Sequence, residues 1–197
     1  MYRSILSVVP LLTGTLLLLM ASGIQSMVMP LRGQWEGFSV DELGWLGTGW
    51  AAGFVVGCLT VPQIIGKVGH VRAFAVFAAL NAIVALLSGL VVDPFPWIAM
   101  RLVTGYVMAG SFMVIESWLN DKSTNETRGL IFGLYSMITY IGITAGQMSI
   151  AVGTFLGPTL FIIAGIIFCV SLLPISLSTR STPAVPASVK LDVGAIW

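Results

Sequence analysis

The sequence predicts an all-α membrane protein with six transmembrane helices, and three observations carry that prediction. Six continuously apolar runs fill most of the 197 residues, and a hydrocarbon core of about 30 Å takes about 20 apolar residues as helix. Positive charge collects on alternate connections between the runs. The chain is 57% hydrophobic and 9% charged, where a soluble domain is about 25% charged. Continuous rather than alternating apolarity excludes a membrane barrel. A net charge of +1 with no basic cluster gives nucleic acid nothing to bind, so the partner these runs require is the lipid bilayer.

The first span, Val8–Met29, exceeds the usual signal-peptide core of about 7–15 residues and further spans follow it, so it reads as a retained anchor. Thr15, Ser22, Gln25, Ser26 and Met29 recur at offsets that share one helical face. Helix adhesion and the lining of a cavity both account for such a seam. The second span, Leu43–Ile65, opens on Ser39 and Glu42 spaced as a capping box. It carries Gly49, Gly53 and Gly57, a flat strip for close helix approach. The connection from Gly66 to Arg72 is short and cationic, with His70 expected as a solvated loop residue. The third span is Ala73–Val92, and Asp93, Pro94, Phe95 and Pro96 read as a tight turn after it.

The fourth span, Trp97–Leu119, holds the sharpest polar signals. Arg101 lies inside it, where a cation costs about 2.5–3.5 kcal/mol on insertion scales. It either snorkels outward along its stem or faces a cavity with a substrate or proton carrier. Glu116 follows fifteen residues later, about 60° from Arg101 around the helix axis. Its carboxylate either faces the same cavity or pairs with Lys67, Arg72 or Lys122. The fifth span, Leu130–Val152, carries Tyr135, Thr139, Gly142, Gly146, Ser149 and Gly153 as a small or polar stripe. Gly157 and Pro158 precede the sixth span, Thr159–Leu177. Cys58 and Cys169 fall inside spans and read as core packing, with no disulfide or metal role. After Leu177 the composition turns rich in Ser, Thr, Pro and Ala, so residues 1–177 read as the membrane domain and 178–197 as a cytoplasmic linker or tail.

Of the nine cations, Arg3, Lys67, Arg72, Lys122, Arg128, Arg180 and Lys190 fall on one side, which the excess of Lys and Arg marks as cytoplasmic, with both termini there. No GxSxG or HExxH motif and no paired membrane aspartates are present, so neither catalytic residues nor a cofactor is expected and the chain does not read as an enzyme.

These residues resemble the major facilitator superfamily. Its signature between spans two and three, of the form GxxxD(R/K)xGRR, is similar to PQIIGKVGHVR over Pro62–Arg72. Lys67, Gly69 and Arg72 match; Pro62 stands for the first glycine and Gly66 for the acidic residue of the family's cytoplasmic charge relay. Arg101 through Gly105 is similar to the family's RxxxG element, associated with proton coupling in exporters. The stretches from Glu116 to Leu119, Arg128-Gly129, Tyr140 to Gly142 and Gly146-Gln147 look like the YcaD-like branch. The resemblance spans Val8 to about Leu177.

It implies an amino-terminal half-bundle built from 3+3 inverted repeats, with Ser22, Gln25, Ser26 and Arg101 on a cavity face of spans one and four. Lys67, Gly69, Arg72, Glu116 and Arg128 would serve the cytoplasmic loops and gate. It implies proton-coupled alternating-access transport of a small molecule across a bacterial inner, plasma membrane. Full members have twelve spans, so a second six-helix half or self-association is expected. Spans two and five, with their glycine strips at Gly49, Gly53, Gly57, Gly142 and Gly146, would face that partner. A non-transporting remnant or accessory subunit is the alternative.

Overall fold

The computed structural model describes residues 2–151 and 153–177, with side chains from residue 8 onward. The expected linker over 178–197, with Arg180 and Lys190, lies outside the described residues, as does the side chain of Arg3. Among the described residues the regular structure is helical, and six segments are long and apolar enough to cross a membrane. They are α1 (Tyr2–Trp35), α2 (Val40–Val68), α3 (His70–Leu90), α4 (Pro94–Lys122), α5 (Arg128–Gln147, continued by a 3₁₀ turn over Met148–Ala151) and a divided sixth span, α6 (Thr159–Val170) with α7 (Leu172–Ser176).

Local chemistry sets these boundaries. α1 runs through Pro30 and past the expected end at Met29. An i,i+4 ion pair between Arg32 and Glu36 supports its last turn. Gly37, at φ 85°, then reverses the chain while Phe38 N–H donates to the Gly33 carbonyl at 2.9 Å. Ser39 caps α2: its hydroxyl accepts from Glu42 N–H, and the Glu42 carboxylate accepts from Ser39 N–H at 2.7 Å. Gly69 alone separates α2 from α3, at φ 83°, with its N–H on the Ile65 carbonyl.

The prolines expected to form a separate turn instead begin α4. Pro94 and Pro96 occupy its first turn, where a missing N–H loses no helical bond, and Asp93 caps the end through Phe95 N–H at 3.0 Å. The sixth span breaks at Ser171 because Pro174 has no N–H to give the Val170 carbonyl four residues back.

α2 packs along α4 and α1 along α5; α3 packs on α4 and α6, and α6 also on α1. Leu18, Leu19, Phe74, Phe161 and Phe168 fill the interior. Trp97 is fully buried, donates from its indole to the Val91 carbonyl at 2.6 Å, and meets Phe38 and Phe161 edge-on or tilted. Large apolar side chains including Val55, Leu59, Leu86 and Ile166 point outward, as a bilayer-facing surface requires.

Three expectations change. The glycine strips do not face outward toward a second half. A Cβ on Gly53 would overlap the Leu102 carbonyl, and one on Gly57 would stand 2.8 Å from the Tyr106 carbonyl oxygen, so this strip is filled by α4. A Cβ on Gly142 would stand 2.9 Å from the Leu16 carbonyl oxygen, and Gly146 lies against Met20, so that strip is filled by α1. Contact between backbones within the bundle uses the small residues first. His70 is buried as the first residue of α3, and its Nε2 is 2.9 Å from Ser117 Oγ; the one-residue connection leaves no loop to solvate it. Cys58 and Cys169 are exposed on helix surfaces rather than packed in the core; α4 meets the Gly49, Gly53 and Gly57 face of α2, and α6 buries Leu160, Phe161, Ala164, Gly165 and Phe168 instead.

Candidate functional site

The packing of α2 on α4 and of α5 on α1 leaves α2 and α5 apart, and α4 floors the groove between them. This groove has a volume of about 450 Å³. From α4 it receives Ala109, Phe112, Met113 and Glu116, spaced to share one helical face. Phe54 and Cys58 come from α2; Tyr135, Ser136, Thr139 and Tyr140 come from α5.

Its chemistry is polarised. Phe54 and Phe112 meet edge-on with ring centroids 6.3 Å apart and form an apolar wall. Opposite them the Tyr135 hydroxyl, on a buried ring, donates to Glu116 Oε1 at 3.2 Å. The Thr139 hydroxyl donates to the Tyr135 carbonyl at 2.9 Å. Glu116 itself is exposed to the groove. An exposed carboxylate held by a phenol, with hydroxyls and aromatic rings around it, can bind and orient a small molecule.

Of the residues singled out in the sequence, Glu116 lines the groove, while Ser22, Gln25, Ser26 and Arg101 do not. Arg101 is half-buried in the seam between α4 and α2, where its Nε donates to the Leu46 carbonyl at 3.3 Å. A Cβ on Gly49 would stand 3.8 Å from the Arg101 Cβ, so absence of a side chain there makes room for the arginine stem. Gln25 is 1% exposed, and neither end of its amide has a hydrogen-bond partner. Ser26 returns its hydroxyl to the Gly23 carbonyl at 2.9 Å, and Ser22 is half-buried. Lys67, Arg72 and Arg128 are exposed at the end of the bundle that carries the α2–α3 and α4–α5 connections. The sequence reading singled out Tyr135 and Thr139 only as members of a stripe and passed over Ser136 and Tyr140 as lining. Their position beside Glu116 depends on how α5 crosses α1, which no local pattern encodes.

Among the described residues, six helices long and apolar enough to cross a bilayer, with a groove of mixed polarity between α2 and α5, define a polytopic membrane protein. The sequence profile of the Major Facilitator Superfamily matches residues 11–194; the chain belongs to that superfamily. It is similar to the MFS-type transporter YcaD of Escherichia coli O139:H28 (strain E24377A / ETEC), with 29% identity over 141 residues, 72% of this chain and 37% of that protein. YcaD of Escherichia coli strain K12 / DH10B is similar to the same extent. The match thus spans 37% of the length of these relatives.

Proposed function

We propose that this chain is one half of a proton-coupled secondary transporter that moves a small molecule by alternating access, and that the groove between α2 and α5 is its share of the central cavity. The observation that carries this reading is the exposure of the two helices that flank the groove. In each of α2 and α5, 22% of the apolar membrane-length stretch is buried, against 39–61% in the other four spans. With the glycine faces already spent on α4 and α1, the remaining faces of α2 and α5 are those a second six-helix half, or a second copy, would cover.

The helix pairing supports the 3+3 repeat. If α1, α2 and α3 correspond to α4, α5 and the sixth span, the α2–α4 seam maps onto the α5–α1 seam and the α3–α4 contact onto the α6–α1 contact. Both seams are closed by glycines at corresponding positions, on α2 and α5 and, facing them, at Gly105 of α4 and Gly23 of α1. Such repeats rock against one another around a site near the bilayer midplane. The exposed Lys67, Arg72 and Arg128 support a cytoplasmic orientation for the end that carries them, and a gate there. In a bacterium this is the inner membrane. Gln25 supports a place on the transport path, since a buried amide without partners costs about 1–3 kcal/mol unless water or a ligand meets it. Arg101, a cation held inside the α2–α4 seam against the Leu46 carbonyl, supports a coupling role.

Cys58 offers a test that needs no known substrate. In a Cys169→Ser background, labelling of Cys58 by a membrane-impermeant maleimide in oriented vesicles is expected to change at least several-fold when a proton gradient is imposed. A rate indifferent to the gradient would count against proton-coupled alternating access.

A further inference from the structure

Resting on the groove as ligand site, we propose a chemical class for its ligand: a monovalent organic cation with an apolar, partly aromatic body. Three observations meet in this assignment. Among the described residues that line the groove, Glu116 is the one formally charged side chain, with no Lys or Arg beside it. Four of the ten lining residues are aromatic, Phe54, Phe112, Tyr135 and Tyr140, and aromatic faces attract cations through their quadrupole. The carboxylate is fixed, because the Tyr135 hydroxyl donates to Glu116 Oε1 at 3.2 Å.

Each alternative fits worse. An anion would meet Glu116 with no compensating base among the described lining residues this chain supplies. A sugar would present many hydroxyls to walls made of Phe54, Phe112, Met113 and Ala109, which offer no side-chain partners. A small inorganic cation would use the carboxylate but leave the aromatic wall without a role. An apolar cation uses both walls at once: its charge lies beside Glu116, and its body lies against Phe54 and Phe112.

Cys58 lines the same groove and is exposed, so occupancy can be read as protection of its thiol. The test uses purified protein in nanodiscs, Cys169→Ser background, with N-ethylmaleimide as label. The probes are tetraphenylphosphonium and tetraphenylborate, which match in size and shape and differ in the sign of charge. Saturating tetraphenylphosphonium is expected to slow Cys58 labelling at least tenfold, with less than a twofold effect from tetraphenylborate. Glu116→Gln should lose that protection and Glu116→Asp should keep most of it, both labelling at the parent rate without probe as a sign of intact folding. A Cys58→Ser variant retaining Cys169 should show no protection, which reports that slowing is confined to the groove.

Equal protection by both ions, or full protection of Glu116→Gln, would overturn the cation assignment while leaving the groove as a ligand site. Protection by neither ion would overturn the groove as ligand site as well. Neither outcome bears on the gradient dependence of Cys58 labelling, so failure of this inference and failure of the transport reading remain distinguishable.

Discussion

α2 presents two faces that behave oppositely. On one, Gly49, Gly53 and Gly57 are buried and the backbone of α4 fills the space their side chains would occupy. On the other, Gly44 and Gly47 have nothing within 4 Å of a built Cβ, and Val55 and Leu59 are exposed. The same residue type is structural on the first face and idle on the second. The contrast separates two tasks that a glycine-rich span could serve: closing the half-bundle, and meeting a partner. The α2–α4 and α1–α5 seams perform the first, and they leave the other face of α2 uncovered.

The largest expected effect comes from breaking a closed seam. In Gly53→Leu, the added side chain meets the Leu102 carbonyl, a backbone atom that cannot rotate away. Separating α2 from α4 to admit it should cost about 3 kcal/mol or more, beyond the common range for overpacking. Gly146→Leu should act alike on the α1–α5 seam, where Met20 and Ile24 supply the backbone. Both variants should shift the midpoint of denaturation in mixed micelles strongly and should disrupt the half itself. If either retained parental stability and lost only association with a partner, the seam would have to be reassigned to an outer interface.

Much of this fold is legible in the sequence because the bilayer leaves few choices. Length and continuity of apolar runs set the spans, and Ser39 with Glu42 announces the start of α2 in chemistry local to the chain. What is not legible is direction around each helix axis. Gly49, Gly53 and Gly57 mark a close approach, yet a GxxxG pattern is the same whether the neighbour is α4 or a separate half. His70 reads as a loop residue because Gly66 and Gly69 before it suit a turn; only the compression of that turn to Gly69 buries it against Ser117. Glu116 stands out as an intramembrane charge, whereas its partner Tyr135 reads as one member of a stripe. Nothing in spacing joins two residues on different helices.

Arg101 sharpens the comparison at an intermediate size, because it lies on the closed side yet carries a charge. Its Nε bond to the Leu46 carbonyl ties α4 to α2 near the wide end of the glycine strip. Arg101→Ala should lower stability by about 1 kcal/mol, the order of a single hydrogen bond. It should also reduce the gradient dependence of Cys58 labelling. Arg101→Lys keeps the charge but loses the planar donor geometry, and should insert normally with a reduced response to the gradient. Parental gradient dependence in Arg101→Ala would sink the coupling role and leave the arginine as a helix clamp.

The smallest effect is expected at Gly47, and its sign matters more than its size. Gly47 lies within α2, six residues from Gly53, and a methyl group there meets open space. Gly→Ala inside a helix recovers about 0.5–1 kcal/mol of conformational entropy when nothing obstructs the methyl. Gly47→Ala should therefore stabilise slightly, while Gly53→Ala should destabilise because even a single carbon overlaps the Leu102 carbonyl. Opposite signs for one substitution at two sites on one helix would isolate the direction in which α2 is packed. Should Gly47→Ala instead destabilise when the chain is associated with a second half or copy, and not when it is alone, the open face would be identified as the covered one in the assembled transporter.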